Sequence, residues 1–419
     1  MSAPDLSLLT KRRFGPIFGV QFLGAFNDNL FKTALLFMAA KGIHDAAPGH
    51  AELLATLAAG LFTLPYFLLS SLAGQIADRW DKAKLVRIVK LAECGIMALA
   101  FWGFESGSVP LLLGCLFLMG VHSTIFGPVK YSILPQHLQP NEVMGGTGLV
   151  EAGTFLAILG GQLLAGVVTT NQAGMIAIGI AVAGVLASLT VPSAPPISPP
   201  ARLDFNIVKG TWAILKATRG NRDVWLSIMG ISWFFAVGAV MMSEFAPLVT
   251  GVLDAKLEVA SLFLLVFSVS IAIGSLLVNR LLNGEVSARY VPVAALSMAG
   301  FLIYLWLATS GYNVQSEGAN IKTFLASDGA WHIMAALAGI AFSGGIFIVP
   351  LYAILQTKSA PEERSQVIAA NNVVNAGVTV ALVAITAALI GQGVNVPGII
   401  GVLGFATLAV ALIACWLLP

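Results

Sequence analysis

A chain of 419 residues that is 58% hydrophobic and only 10% charged cannot cover itself with a water-facing surface, because soluble domains carry about 25% charged residues. Its mean hydropathy is +0.89, and apolar stretches of the length that crosses a hydrocarbon core recur along it, so the expected class is an all-α membrane protein. The net charge of +2 gives no reason to expect a nucleic-acid partner, and Cys94, Cys115 and Cys415, all within apolar stretches, exclude a disulfide framework and a cysteine metal site.

The chain opens with Lys11-Arg12-Arg13 before an apolar run. That run is not a signal peptide: it carries Asn27-Asp28-Asn29 and Lys32 in its middle, and no small-residue cleavage site follows. It is the first of twelve predicted spans, near residues 14–40, 52–76, 84–105, 109–131, 142–168, 172–191, 223–250, 257–280, 289–310, 329–356, 364–391 and 395–418. Asp28 lies about 20 Å along the first span at about 1.5 Å per residue. A carboxylate near the bilayer centre costs at least about 2.5 kcal/mol on insertion scales and marks a cargo or ion pathway by default. Asn27 and Asn29 flank it, and Lys32, one turn on, is placed to pair with it.

After span 2 comes a loop, Gly74-Gln-Ile-Ala-Asp78-Arg79-Trp-Asp81-Lys82-Ala-Lys84. Its glycine allows close helix contact, and Asp78 suits a helix N-terminus in the same half of the chain. Gly74, Asp78 and Arg79 are therefore candidates for a conformational latch. The equivalent second-half loop, Asn279-Arg280 to Glu285, is degenerate. Glu93 in span 3 suits a pair with Lys90. His122 and Lys130 in span 4 and Glu151 in span 5 are further candidates for cargo binding or coupling. Span 5 also carries the small-residue ladder Gly153, Ala157, Gly161 and Ala165, a packing face.

The long polar interruption, 192–222, opens with prolines that cannot continue a helix. It continues with Arg202, Lys209, Lys216, Arg219 and Arg222 among Phe205, Ile207, Val208, Trp212 and Leu215, a basic amphipathic segment suited to the membrane surface. It divides the chain into an N-terminal six-helix bundle, 1–191, and a C-terminal one, 223–419. In span 7, the counterpart of span 1, Glu244 is a candidate cavity residue, with a solvated position near the outer surface as the alternative.

With the N-terminus inside, eighteen basic residues, Lys90 among them, fall on the cytoplasmic side against Lys41, Lys256 and Lys322 outside. That bias places both termini in the cytoplasm of a bacterial inner membrane. The halves also repeat. Phe126-Gly-Pro128 to Gln136 matches Phe347-Ile-Val-Pro350 to Gln356, Pro140-Asn-Glu142 matches Pro361-Glu-Glu363, and Leu149-Val-Glu-Ala-Gly153 matches Val373-Val-Asn-Ala-Gly377. A parallel repeat of six spans is the signature of the major facilitator fold, in which substrate sits between the halves. The Gly74 to Arg79 segment resembles the signature loop of that superfamily.

Several stretches together resemble the bacterial lysophospholipid transporter family: Gln21-Phe22-Leu23-Gly-Ala-Phe26-Asn-Asp28-Asn29, the Gly74–Arg79 loop, Pro128-Val-Lys130-Tyr131-Ser-Ile-Leu134, Gly148-Leu-Val-Glu151-Ala and Gly344-Gly345-Ile-Phe347 through Gln356. Ile231-Ser232-Trp233-Phe234-Phe235 is similar to the transporter half of fusions with an acyltransferase and acyl–acyl-carrier-protein synthetase. The resemblance implies a flippase that brings lysophospholipids, chiefly lysophosphatidylethanolamine, to the cytoplasmic leaflet, with such an acyltransferase/acyl-ACP synthetase as the downstream partner. No His-x-x-x-x-Asp acyltransferase motif is present, so a stand-alone transporter or an excised module is expected. Some stand-alone members carry an arginine midway along span 7, where this chain has Met242, so that residue's role does not carry over. Asp28 suits the cargo ammonium, and Lys32 or Lys130 its phosphate. The alternative is a proton-coupled efflux pump for drugs or sugars, with Asp28 titrating. An enzyme is disfavoured, since no catalytic cluster recurs at working spacing. No Gly-x-x-x-x-Gly-Lys-Ser/Thr loop is present, so direct ATP drive is not expected, nor is any cofactor.

Overall fold

The computed structural model describes residues 6–42, 50–197, 203–315 and 317–417, and of 39–42, 50–53 and 55 the backbone alone. Pro199, Pro200 and Arg202 of the linker and the side chain of Lys41 lie outside the described residues. Among the described residues there are twelve helices of 20 residues or more. They are α1 (Gly15–Gly42), α2 (His50–Arg79), α3 (Lys82–Glu105), α4 (Val109–Ser132), α5 (Val143–Val167), α6 (Thr170–Leu189), α7 (Arg222–Pro247), α8 (Glu258–Leu281), α9 (Val291–Ser310), α10 (Ala330–Thr357), α11 (Arg364–Gly391) and α12 (Val396–Leu417). Ten are long and apolar enough to cross a membrane. The two that fall short are α1, with Asp28 and Lys32, and α3, with Lys82, Lys84, Arg87, Lys90 and Glu93. The twelve helices coincide with the twelve expected spans. The loop expected from Gly74 to Lys84 does not form: α2 runs on through Arg79, α3 starts at Lys82, and only Trp80 and Asp81 separate them. Asp81 ends the gap by accepting from the backbone N–H of Ala83 and Lys84 at 2.8 and 3.1 Å, which satisfies two of the donors a helix start leaves open.

The chain packs as two compact units. One comprises Asp5–Trp225 with Leu355–Ala376, the other Leu226–Ile354 with Gly377–Pro419. In the first unit, α1 lies against α5 and α6, α2 against α4, and α3 against α4 and α6. Bilayer tails are as apolar as leucine, so these contacts come from close approach of backbones, not from escape from water. At Gly161 of α5 a Cβ would stand 2.4 Å from the Phe26 carbonyl oxygen and 2.9 Å from the Leu30 nitrogen. The small-residue ladder of span 5 is thus a packing face on α1, with Gly153 under the Phe18 ring. In α4 the Gly120 position touches the Phe62 carbonyl of α2 in the same way. In the second unit, Gly274 of α8 meets the Phe342 carbonyl of α10, and Gly345 meets that of Ile271. The second and fourth helices of each half therefore join through glycine, a structural echo of the sequence repeat.

The linker forms a helix, Ile207–Arg219, capped by Asn206, whose side chain accepts from Lys209 N at 2.9 Å. Its buried face, Gly210, Ile214 and Thr218, rests on the first unit, with Gly210 against Ser71 of α2 and Ile214 against Ala369 and Ala370 of α11. Phe205, Val208 and Trp212 stay exposed.

Candidate functional site

The polar residues of α1 and α3, the two helices that fall short of a membrane span in apolarity, meet each other inside the first unit. Lys90 and Glu93 of α3 are one turn apart, and their side chains are 0% and 1% exposed with Lys90 Nζ 2.6 Å from Glu93 Oε2. Asn27 of α1 donates its amide to the other carboxylate oxygen at 2.8 Å. His122 of α4 brings Nε2 to 3.3 Å from Glu93 Oε2, without hydrogen-bond alignment, and stacks on Phe126. Lys90 also lies 5.4 Å from the Phe126 ring centroid. Buried charges persist when paired and hydrogen-bonded, and Glu93 with Lys90, Asn27 and His122 meets that condition.

Asp28 is the next residue on α1 and is half-buried. Its Oδ2 accepts from Ser123 of α4 at 2.9 Å, while its buried Oδ1 has no hydrogen-bond partner among the described residues. The expected pair with Lys32 is absent: no salt bridge joins the Asp28 carboxylate to the Lys32 ammonium, whereas Lys90 pairs with Glu93. Lys32 instead places its ammonium 5.0 Å from the centroid of Phe62 in α2. The physical reason is that helical spacing puts Asp28 and Lys32 on one face, but α4 supplies Ser123 to the carboxylate and α2 supplies an aromatic face to the cation. A lysine stem reaches that far without strain.

Lys90, expected among the cytoplasmic charges, is wholly buried inside the first unit. Asn29 donates to the Ala25 carbonyl of its own helix at 2.8 Å and stays out of the cluster. Lys130, Tyr131 and Glu151 form a second group: the Tyr131 hydroxyl donates to the buried Glu151 carboxylate, and Lys130 lies 4.6 Å from the Tyr131 ring centroid. Glu244 belongs to the second unit and is 5% exposed.

The Gly74, Asp78 and Arg79 group is also built differently from expectation. Asp78 does face a helix start, but that of α11 in the second half of the sequence. Its Oδ1 accepts from Ser365 N at 2.9 Å and its Oδ2 from Gln366 N at 3.0 Å. Both N–H groups belong to the first turn of α11, where open donors and the helix dipole favour an anion. A Cβ at Gly74, one turn earlier, would stand 2.8 Å from Gln366 Cα, so glycine lets α2 come this near. Arg79 turns back to Gln75 at 2.8 Å.

Sequence reasoning did not single out Ser123, which carries no charge to mark it. It also passed over Asn371 of α11, fully buried with neither amide atom hydrogen-bonded among the described residues, although Asn375, one turn on, carries the internal repeat. Lys90 and Glu93 at i and i+3 in an apolar run were visible as a pair, but not their link to α1.

The model of the Major Facilitator Superfamily matches residues 17–380. The chain belongs to the major facilitator superfamily. This major facilitator protein is a multi-pass membrane transporter and not an enzyme. Among curated proteins it is 26% identical over 370 residues to "Lysophospholipid transporter LplT" of Serratia proteamaculans (strain 568), covering 85% of this chain and 82% of that one. It is 25% identical over 413 residues to the protein of the same name from Klebsiella pneumoniae (strain 342), covering 94% and 93%. Among solved structures, the human organic anion transporter MFSD10 (TETRAN) matches with a TM-score of 0.75 at 13% identity, over 97% of this chain and 99% of that one. A variant of the E. coli fucose:proton symporter FucP matches with a TM-score of 0.67 at 12% identity, over 96% and 98%. These structural likenesses show the fold.

Proposed function

We propose that this transporter moves lysophospholipids, such as lysophosphatidylethanolamine, across the inner membrane to the cytoplasmic leaflet by alternating access. The observation that carries this reading is the 26% identity with the Serratia protein over 85% of this chain. The site chemistry agrees with it. A zwitterionic head needs an anion and a cation in a site otherwise apolar. Asp28 supplies a carboxylate oxygen without a partner, and Lys32, held over Phe62 and not neutralised by Asp28, supplies the cation. Asn27, Glu93, Lys90 and His122 fix the helix turn from which Asp28 projects. Lys130 with Glu151 is a second polar pair for the phosphate or a coupling ion, and Glu244 is a further polar group in the second unit. The product would be reacylated downstream by an acyltransferase with an acyl-ACP synthetase. Reconstitution into liposomes with labelled lysophosphatidylethanolamine, with and without Na⁺ and proton gradients, tests the reading. The expected result is protein-dependent movement of label between leaflets. No movement under any gradient sinks it.

A further inference from the structure

Away from the polar cluster, the second unit carries a groove of about 570 Å³ between α8, α9 and α10, a size typical of small-molecule sites. Its walls are apolar, with Ile273, Leu281, Val293, Phe301, Phe342 and Ile346 among them. Ile273 and Val293 are 52% and 63% exposed, so the groove opens outward along apolar rims. On its floor the Ser343 hydroxyl donates to that of Ser297 at 2.9 Å, and these satisfied hydroxyls ask for no polar ligand at that depth. A Cβ at Gly339 would stand 2.5 Å from the Phe301 ring, so bare backbone lets that ring form a wall.

One end of the groove is different. Tyr290 lines it, and the exposed Arg289 holds its guanidinium 5.9 Å from the Tyr290 ring centroid. Arg280 precedes the lining residue Leu281, so the α8–α9 turn carries two guanidiniums against the single carboxylate of Glu285. An apolar channel ending at a cationic mouth complements an amphiphile with an anionic group at one end of a hydrocarbon chain.

We propose that this groove is a binding site for a membrane phospholipid, one acyl chain lying against Ile273, Val293 and Phe301 and the phosphate meeting Arg289. Bulk tails are as apolar as the groove, so the chain alone gives no preference for it. Retention comes from the guanidinium, which pairs with phosphate through parallel N–H donors. The site is independent of the transported cargo, and its test does not read transport.

The full chain is reconstituted in phosphatidylethanolamine/phosphatidylglycerol bilayers with a trace of phospholipid bearing a mid-chain diazirine. A parallel sample uses a diazirine fatty alcohol of the same length, and labelled peptides are mapped after irradiation. The phospholipid probe should label the groove well above the exposed apolar residues Phe405 and Trp416 of α12. R289Q should lower that labelling about five-fold, the equivalent of one basic residue's attraction for anionic lipid, while leaving the alcohol probe unchanged; R289K should restore part of it. A338F, which fills the groove, should reduce both probes. Arg289 is exposed, so R289Q decides even if A338F fails to fold. Groove labelling no greater than at α12, R289Q without effect, or R289Q lowering both probes equally would overturn the proposal.

Discussion

At the scale of single residues, α1 carries two neighbouring polar side chains with different tasks. Asn27 is spent on Glu93, whereas Asp28 keeps a buried carboxylate oxygen unpaired. Removing the Asp28 charge therefore disturbs little that holds the fold, and Asp28→Asn should insert and unfold like the wild type while losing most lysophosphatidylethanolamine uptake into spheroplasts. Because Lys32 sits on Phe62 and not on Asp28, adding Lys32→Met should not restore uptake; restoration would return the pair to a structural role. Lys90 is the opposite case. Lys90→Met leaves Glu93 charged and buried, which costs about 3–5 kcal/mol when one partner of a buried pair is removed. Thermal unfolding in detergent should show that loss, and Glu93→Gln added to Lys90→Met should recover most of it. A single Lys90→Met with an unchanged unfolding temperature would contradict the ion-pair geometry. Outside the spans, Asp81 loses some solvation, but hydrogen bonds from Ser193 and from the N–H groups of Lys84, Ala194 and Ala83 hold its carboxyl below the usual carboxylate range. A lowered native value means a contribution present above the unfolded carboxyl value of about 3.9 and lost as pH falls through the native one. Asp81→Asn should therefore lower stability at neutral pH, where the contribution is present, and flatten the acid limb, with little change well below the native value; an unchanged neutral-pH stability would contradict the capping geometry.

At the scale of elements, the twelve helices were legible because a span needs about 20 apolar residues and turn residues punctuate them. The ladder of Gly153, Ala157, Gly161 and Ala165 was legible as a packing face, since small residues at that spacing serve close approach. What the ladder packs against was not written in the local sequence, nor was the helix that Asp78 caps, because both depend on contacts made far along the chain. The Gly74–Arg79 segment read as a loop because charges and a tryptophan interrupt the hydropathy, yet nothing in it breaks a helix before Trp80. Gly161→Ala tests the α1–α5 seam. A methyl group there must displace Phe26 or Leu30 backbone, and overpacking of this kind costs about 1–3 kcal/mol. The unfolding temperature should fall, while Gly166→Ala on the same helix, where a Cβ meets nothing within 4 Å, should leave it unchanged. Equal effects from the two would remove the seam from the account.

At the scale of the whole molecule, orientation and conformational exchange are where charge counts and capping contacts acquire meaning. Even without Lys90, basic residues favour one side heavily, so the turns after even-numbered helices should be cytoplasmic. In a cysteine-free background, Glu362→Cys, in the α10–α11 turn, should react with an impermeant thiol reagent only from the cytoplasm. Gln392→Cys, beyond the other end of α11, should react only from outside; the reverse pattern would invert the topology. The same helix carries the last test. Asp78 caps α11 across a sequence distance of nearly three hundred residues, and a cap made by a residue of another helix exists only while the two helices touch. If alternating access separates α2 from the start of α11, the two charge-assisted hydrogen bonds are present in one state and absent in the other. Such bonds contribute about 1.5–3 kcal/mol each in favourable settings, and even 1–3 kcal/mol in total shifts a two-state equilibrium about 5- to 150-fold. Asp78→Ala should therefore move the population away from the state described here and make Cys substitutions at Ser132 and Ser365, buried and hydrogen-bonded to each other, reactive to a permeant thiol reagent. Gly74→Leu should do the same by steric means, without touching the charge. Both variants should retain the wild-type helix content. Reactivity at Ser132 and Ser365 that stays at the wild-type level in both variants would leave Asp78 as a fixed structural cap, with no part in exchange between states.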